Sequence, residues 1–145
     1  PEIVTDEIID NMAQARKALG LVYSGDAASI LSTNKNMGFY MPKEGTNIWT
    51  DAMVIPKNAS NVPLATEFMK YILSKKVAIL NSEYVGYTSP VKAVEDQLAK
   101  TTFNGNAAYT PRLGYAKDEV FGYNDKSRKI IADLWSRVKV AASNA

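Results

Sequence analysis

Nine residues, Ile48-Trp49-Thr50-Asp51-Ala52-Met53-Val54-Ile55-Pro56, constrain this chain more than any other stretch. β-Branched, aromatic and aliphatic residues run unbroken between a turn-like Lys43-Glu44-Gly45-Thr46-Asn47 and a terminating proline, a pattern that predicts a strand. Alternation along a strand puts Trp49, Asp51 and Met53 on one face and Ile48, Thr50, Ala52 and Val54 on the other. Trp49 and Asp51 then stand about 6–7 Å apart, two residues of rise. An indole face beside a carboxylate suits an organic cation, offering a π surface for methylenes and ammonium together with a formal negative charge. The same two residues also suit a plain sheet position, with Trp49 half-buried and Asp51 capping a neighbouring turn.

The chain has 145 residues, enough for one domain with a real core, and its 46% hydrophobic and 22% charged residues are ordinary globular values. No apolar run is long enough to span a bilayer. A net charge of +2, with scattered lysines, does not point to nucleic acid. Cysteine and histidine are absent, which removes thiol nucleophiles, disulfides and nearly all zinc or copper sites, and with them the commonest general base. No metal and no cofactor is expected.

Thr5 is a candidate N-cap of a first helix whose apolar positions are Ile8, Ile9 and Met12, stopped by Gly20. Leu21-Val22-Tyr23 reads as a short strand that turns through Ser24-Gly25-Asp26 into a second helix, Ala27 to about Ser32, with Asp26 as its cap. A tyrosine at the end of a strand before a helix lies where α/β folds bind ligands, although a core tyrosine reads the same way. Gly38-Phe39-Tyr40-Met41-Pro42 predicts another strand. Leu64, Ala65, Phe68, Met69, Ile72 and Leu73 form the stripe of an amphipathic helix from Val62. Ser74 ends that helix and caps the next, which Gly86 closes. Tyr87 then falls in a loop, and Ser89-Pro90 opens a further helix to about Ala99. Residues 101–125 are irregular and rich in aromatics, namely Tyr109, Tyr115, Phe121 and Tyr123, expected to anchor the segment on the core or to line a pocket. Ile130, Ile131, Leu134, Trp135 and Val138 mark a last helix, about 126–142, with Trp135 as a packing residue.

Three segments, in this order and spacing, carry a resemblance. Ala18-Leu19-Gly20-Leu21-Val22-Tyr23-Ser24-Gly25-Asp26-Ala27, Pro42-Lys43-Glu44-Gly45 followed by Ile48 to Pro56, and Gly86-Tyr87-Thr88-Ser89-Pro90 resemble stretches of the spermidine/putrescine-binding proteins, the soluble receptors of polyamine ABC transporters. The resemblance covers nearly all of this chain but only the C-terminal part of a family member. It implies an α/β architecture, the C-terminal fragment of a bilobal type II periplasmic-binding fold. Residues 1–42 would then end the second lobe's segment, 43–95 return into the first lobe, and 96–145 cross back to the second. It further implies an extracytoplasmic, non-enzymatic protein with a polyamine ligand and an ABC permease as partner, and a signal or anchor upstream of Pro1. By the same resemblance Tyr23 stands where the family often has tryptophan and serves as an aromatic wall. Trp49 lies along the methylenes, Asp51 accepts from an ammonium, and Tyr87 adds an aromatic or hydroxyl contact. Phe121 falls near a glutamine that contributes in some members.

Two rival readings remain: a receptor for another small organic solute, and an enzyme using Asp51 or Glu83 as a base. A homodimer exchanging elements between copies is a further expectation for a chain lacking part of one lobe.

Overall fold

A computed structural model describes residues 2–110, 112–120 and 122–143. Among the described residues six helices follow in order: α1 (Glu7–Ala13), α2 (Ser24–Thr33), α3 (Val62–Leu73), α4 (Lys75–Val85), α5 (Lys92–Leu98) and α6 (Asp125–Ser143). Small residues let three of them approach closely. Ala27 and Ala28 of α2, Ala78 of α4, and Val94 and Leu98 of α5 share one buried cluster, completed by Phe103, Ala108 and Tyr109. Phe103 and Tyr109 stack with centroids 4.2 Å apart and 11° between their planes. The irregular segment is thus tied to the core by Tyr109, as its aromatic content leads one to expect, and α1 packs on the outer side of α2.

Local chemistry sets the helix ends. The Asn61 side chain accepts from the Leu64 N–H at 3.0 Å and Pro63 sits in the first turn of α3, where no amide partner is needed. Ser74 separates α3 from α4, and Gly86 closes α4 in the left-handed region at φ 75°. Three expected caps differ. The N-cap of α1 is Asp6, not Thr5, and the helix ends at Ala13 with Gln14 as its C-cap, well short of the expected stop at Gly20. Tyr23, not Asp26, is the N-cap of α2, which begins at Ser24 and holds Asp26 in its first turn. Helix α5 begins at Lys92, and Ser89 instead accepts from the Val91 N–H at 3.2 Å in the preceding turn.

The expected α/β character is not seen among the described residues. Residues 21–23, 38–42 and 48–55 run outside any helix without forming a ladder, and the β-pairing present is one isolated parallel bridge between Asn47 and Glu119. A single stretch encodes side-chain alternation, but a strand exists only where a neighbour takes up its N–H and C=O groups. With no such neighbour, Leu21 is fully exposed, and Tyr40 and Val54 are about three-quarters exposed.

Unmet burial recurs on the helices. No residue of α3 is buried, and Leu64 and Phe68 of its stripe stay exposed. Helix α6 packs against no other helix among the described residues, so Trp135, read from its spacing as a packing residue, is 48% exposed. Periodicity marks an apolar face on each helix; what covers that face is not set by periodicity.

Candidate functional site

Tyr23, Trp49 and Tyr87 reach one place from three separate stretches of chain. Tyr23 is the last residue before α2, Trp49 lies in the extended 48–55 segment, and Tyr87 directly follows the glycine that ends α4. The Trp49 ring meets Tyr23 in an edge-to-face arrangement with centroids 5.0 Å apart, and Tyr87 at 6.5 Å, with interplanar angles of 67° and 73°. Each edge-to-face contact covers one face of one ring and fixes the rings against one another. Tyr23 is exposed and Trp49 is 39% exposed, so the aromatic wall is open to solvent.

Two carboxylates adjoin this wall. Burial pushes the Tyr87 hydroxyl pKa up, and the nearby Asp26 and Asp51 charges, then Tyr23, push it further the same way. The Asp26 carboxyl is also pushed up, first by burial and further by Asp6, against a Tyr23 backbone hydrogen bond that lowers it. Tyr23, Trp49, Asp51 and Tyr87 are therefore brought together; Phe121 lies outside the described residues. Asp26 joins the group, although its sequence position suggested only a cap. The available signal was its place in the first turn behind the aromatic Tyr23.

Beside Asp51 and Tyr87 opens an apolar cavity of about 610 Å³, lined among others by Met53, Met69, Ile72 and Ser82. Ring faces, two carboxylates and adjoining apolar space match a ligand with positive ends and a hydrocarbon middle. Among the described residues no cluster of acidic side chains suits a metal ion.

The Trp49 segment is held by groups that carry no sequence motif. Arg112 lies over the Tyr115 ring, 4.0 Å from its centroid, and donates from Nε to Asp118 Oδ2 at 2.8 Å. It also donates to the Pro42 carbonyl at 3.2 Å. Asp118 in turn accepts from the Thr46 N–H at 2.9 Å, and the Ile48 N–H donates to the Glu119 carbonyl at 2.8 Å. The Tyr115 hydroxyl donates to the Lys43 carbonyl at 2.7 Å. Residues 112–119 thus clasp residues 42–48, immediately ahead of Trp49.

This clasp titrates. The Arg112 guanidinium holds the Asp118 carboxyl below its ordinary value, with burial opposing and the Thr46 N–H assisting. A carboxylate depressed in the folded state stabilises it above the unfolded pKa, and that stabilisation disappears as pH falls through the folded value. Asp118→Asn should therefore melt below the parent protein at neutral pH, and the two melting curves should converge as pH falls below 3.8, the ordinary carboxyl value. Thermal melts from pH 7 to 3 check this. A gap that stays constant across that range would remove Asp118 from the clasp.

A family model described as bacterial extracellular solute-binding protein matches residues 2–116. A spermidine/putrescine-binding periplasmic protein of Salmonella typhimurium is 30% identical over 101 residues, covering 70% of this chain and 29% of that protein. Its Escherichia coli K12 counterpart is 30% identical over 91 residues, covering 63% of this chain and 26% of that protein. A putrescine-binding periplasmic protein of Escherichia coli K12 is 24% identical over 142 residues, covering 93% of this chain and 38% of that protein. The chain thus spans well under half the length of each of these relatives. No solved structure matches it.

Proposed function

The chain belongs to the bacterial extracellular solute-binding protein family, and from that membership together with its open aromatic wall we propose that it captures a polyamine outside the cytoplasmic membrane and delivers it to an ABC permease. The observation that carries this reading is the meeting of Tyr23, Trp49 and Tyr87 beside Asp26 and Asp51. Aromatic faces take the methylenes and the flanks of the ammonium groups, each cation–π contact contributing about 0.5–2 kcal/mol. The carboxylates take the ammonium ends. Two carboxylates around one wall fit a ligand with at least two positive charges better than a monocation.

In this reading capture involves no turnover, in line with relatives that bear the names of binding proteins. The type II periplasmic-binding fold is part of the same reading: 1–42 closes a second-lobe segment, 43–95 returns to the first lobe, and 96–145 crosses back. The bare extended stretches at 21–23, 38–42 and 48–55 are then positions in sheets shared with the rest of a bilobal protein. Closure of two lobes over the ligand desolvates wall and carboxylates and strengthens their attraction for it.

Calorimetric titration of the protein at its full natural length with spermidine, putrescine and lysine tests the proposal. Saturable heat with either polyamine and none with lysine is the expected outcome. Silence with both polyamines would leave the family and discard the ligand.

A further inference from the structure

We propose that Tyr109, acting through Ser82, is a positioning residue for Tyr87, so that the ring at the candidate site is set from inside the core. The inference rests on the reading of Tyr87 as part of the ligand wall. Its basis is a directed chain of hydroxyl groups. The Ser82 hydroxyl donates to the Tyr87 carbonyl. A serine hydroxyl has one proton, so in its 3.2 Å contact with the Tyr109 hydroxyl Ser82 must accept and Tyr109 must donate. The Thr88 hydroxyl donates to the Tyr109 carbonyl, so Tyr109 is tied to the loop directly at Thr88 and through Ser82 at Tyr87.

Both members of the relay are fixed. Ser82 is 2% exposed and Tyr109 1% exposed, and the Tyr109 ring is stacked on Phe103. The Tyr87 ring is confined from the other side. It packs so closely on the backbone of Gly25 that a Cβ there would overlap its Cδ2, Cε2 and Cζ atoms. The relay therefore holds the Tyr87 main chain while the first turn of α2 holds its ring, and Trp49 and Tyr23 pack outward from that ring in turn. Satisfying buried polar groups would account for the hydrogen bonds alone. Their convergence on the two residues that follow the Gly86 turn, opposite a glycine slot for the ring, points to placement of the ring.

Tyr109→Phe removes one oxygen and keeps the stack on Phe103, so it isolates the relay; Ser82→Ala removes the middle member. Both are made in the protein at full natural length carrying 3-fluorotyrosine, with the Tyr87 resonance assigned by its loss in Tyr87→Phe. In the ligand-free protein both variants should shift or broaden the Tyr87 resonance. Polyamine affinity should fall about fivefold in Tyr109→Phe, the scale of one net hydrogen bond. An unmoved Tyr87 resonance in both variants would overturn the proposal, as would unchanged affinity in a protein that binds polyamine. If the parent protein binds no polyamine, the ligand reading fails by itself, and the fluorine resonance still decides whether Tyr109 places Tyr87.

Discussion

Replacing Asp51 by asparagine is expected to weaken polyamine binding about thirtyfold, the equivalent of about 2 kcal/mol. Shape and hydrogen-bond acceptance survive the change; the formal charge does not. In the open structure Asp51 is exposed, and an ion pair in that setting contributes little. The large effect arises once the bound ligand and the closed site exclude water, because a desolvated ammonium facing a neutral amide has lost most of what replaced its hydration. Asp26→Asn should act in the same direction, since burial already disfavours the charged form of Asp26 and a ligand ammonium relieves that cost. Titration of Asp51→Asn against the parent protein reads the ratio of dissociation constants directly. A ratio within twofold of one would exclude Asp51 as an ammonium partner and return it to the role of a polar turn residue.

Gly86→Ala is expected to cost the fold about 2–3 kcal/mol, which lowers the thermal midpoint by roughly 7–10 °C for a chain of this size. Two causes add. The residue sits at φ 75°, where an L side chain is strained. A Cβ there would also lie 2.5 Å from the Gly25 carbonyl oxygen, a backbone atom that can yield only if α2 moves away from α4. Gly105 separates these contributions, being at φ 72° with nothing within 4 Å of the corresponding Cβ position. Gly105→Ala should show the conformational strain alone, about 1 kcal/mol. Equal midpoint losses for the two substitutions would mean that the α2–α4 contact contributes nothing. Because α2 would shift against the slot that holds Tyr87, Gly86→Ala should also disturb the site.

Helix was legible in this sequence wherever local signals suffice. The stripe from Leu64 to Leu73, the serine between α3 and α4, and Gly86 as a stop all specify their own geometry within a few residues, and the helices formed there. The strands were different. Ile48 to Pro56 carries the composition of a strand, but no residue in it names the partner that would take its backbone bonds. Trp135 shows the same gap on a helix, where spacing marks a face and leaves its cover unspecified. At the candidate site, Tyr23, Trp49 and Tyr87 were singled out by strand and loop position, given roles by resemblance, and brought together by the fold. Asp26 was overlooked because an acidic residue at the start of a helix has a sufficient local explanation. Arg112 and Asp118 were overlooked because two opposite charges six residues apart in an irregular stretch fit no motif; only the fold brings the Thr46 amide to Asp118.

The clasp that holds the Trp49 segment joins residues far apart along the chain: 72 positions separate Thr46 from Asp118 and Lys43 from Tyr115. The bonds around Tyr87 reach only 5 to 27 positions. Closing a longer loop sacrifices more chain entropy before any contact repays it. The two halves of the site therefore differ in the time at which they come into being. The Tyr87 main chain is expected to be set together with α4 and α5, while its ring, which needs the first turn of α2, and the half bearing Trp49 and Asp51, which needs the clasp, wait on longer loops to close.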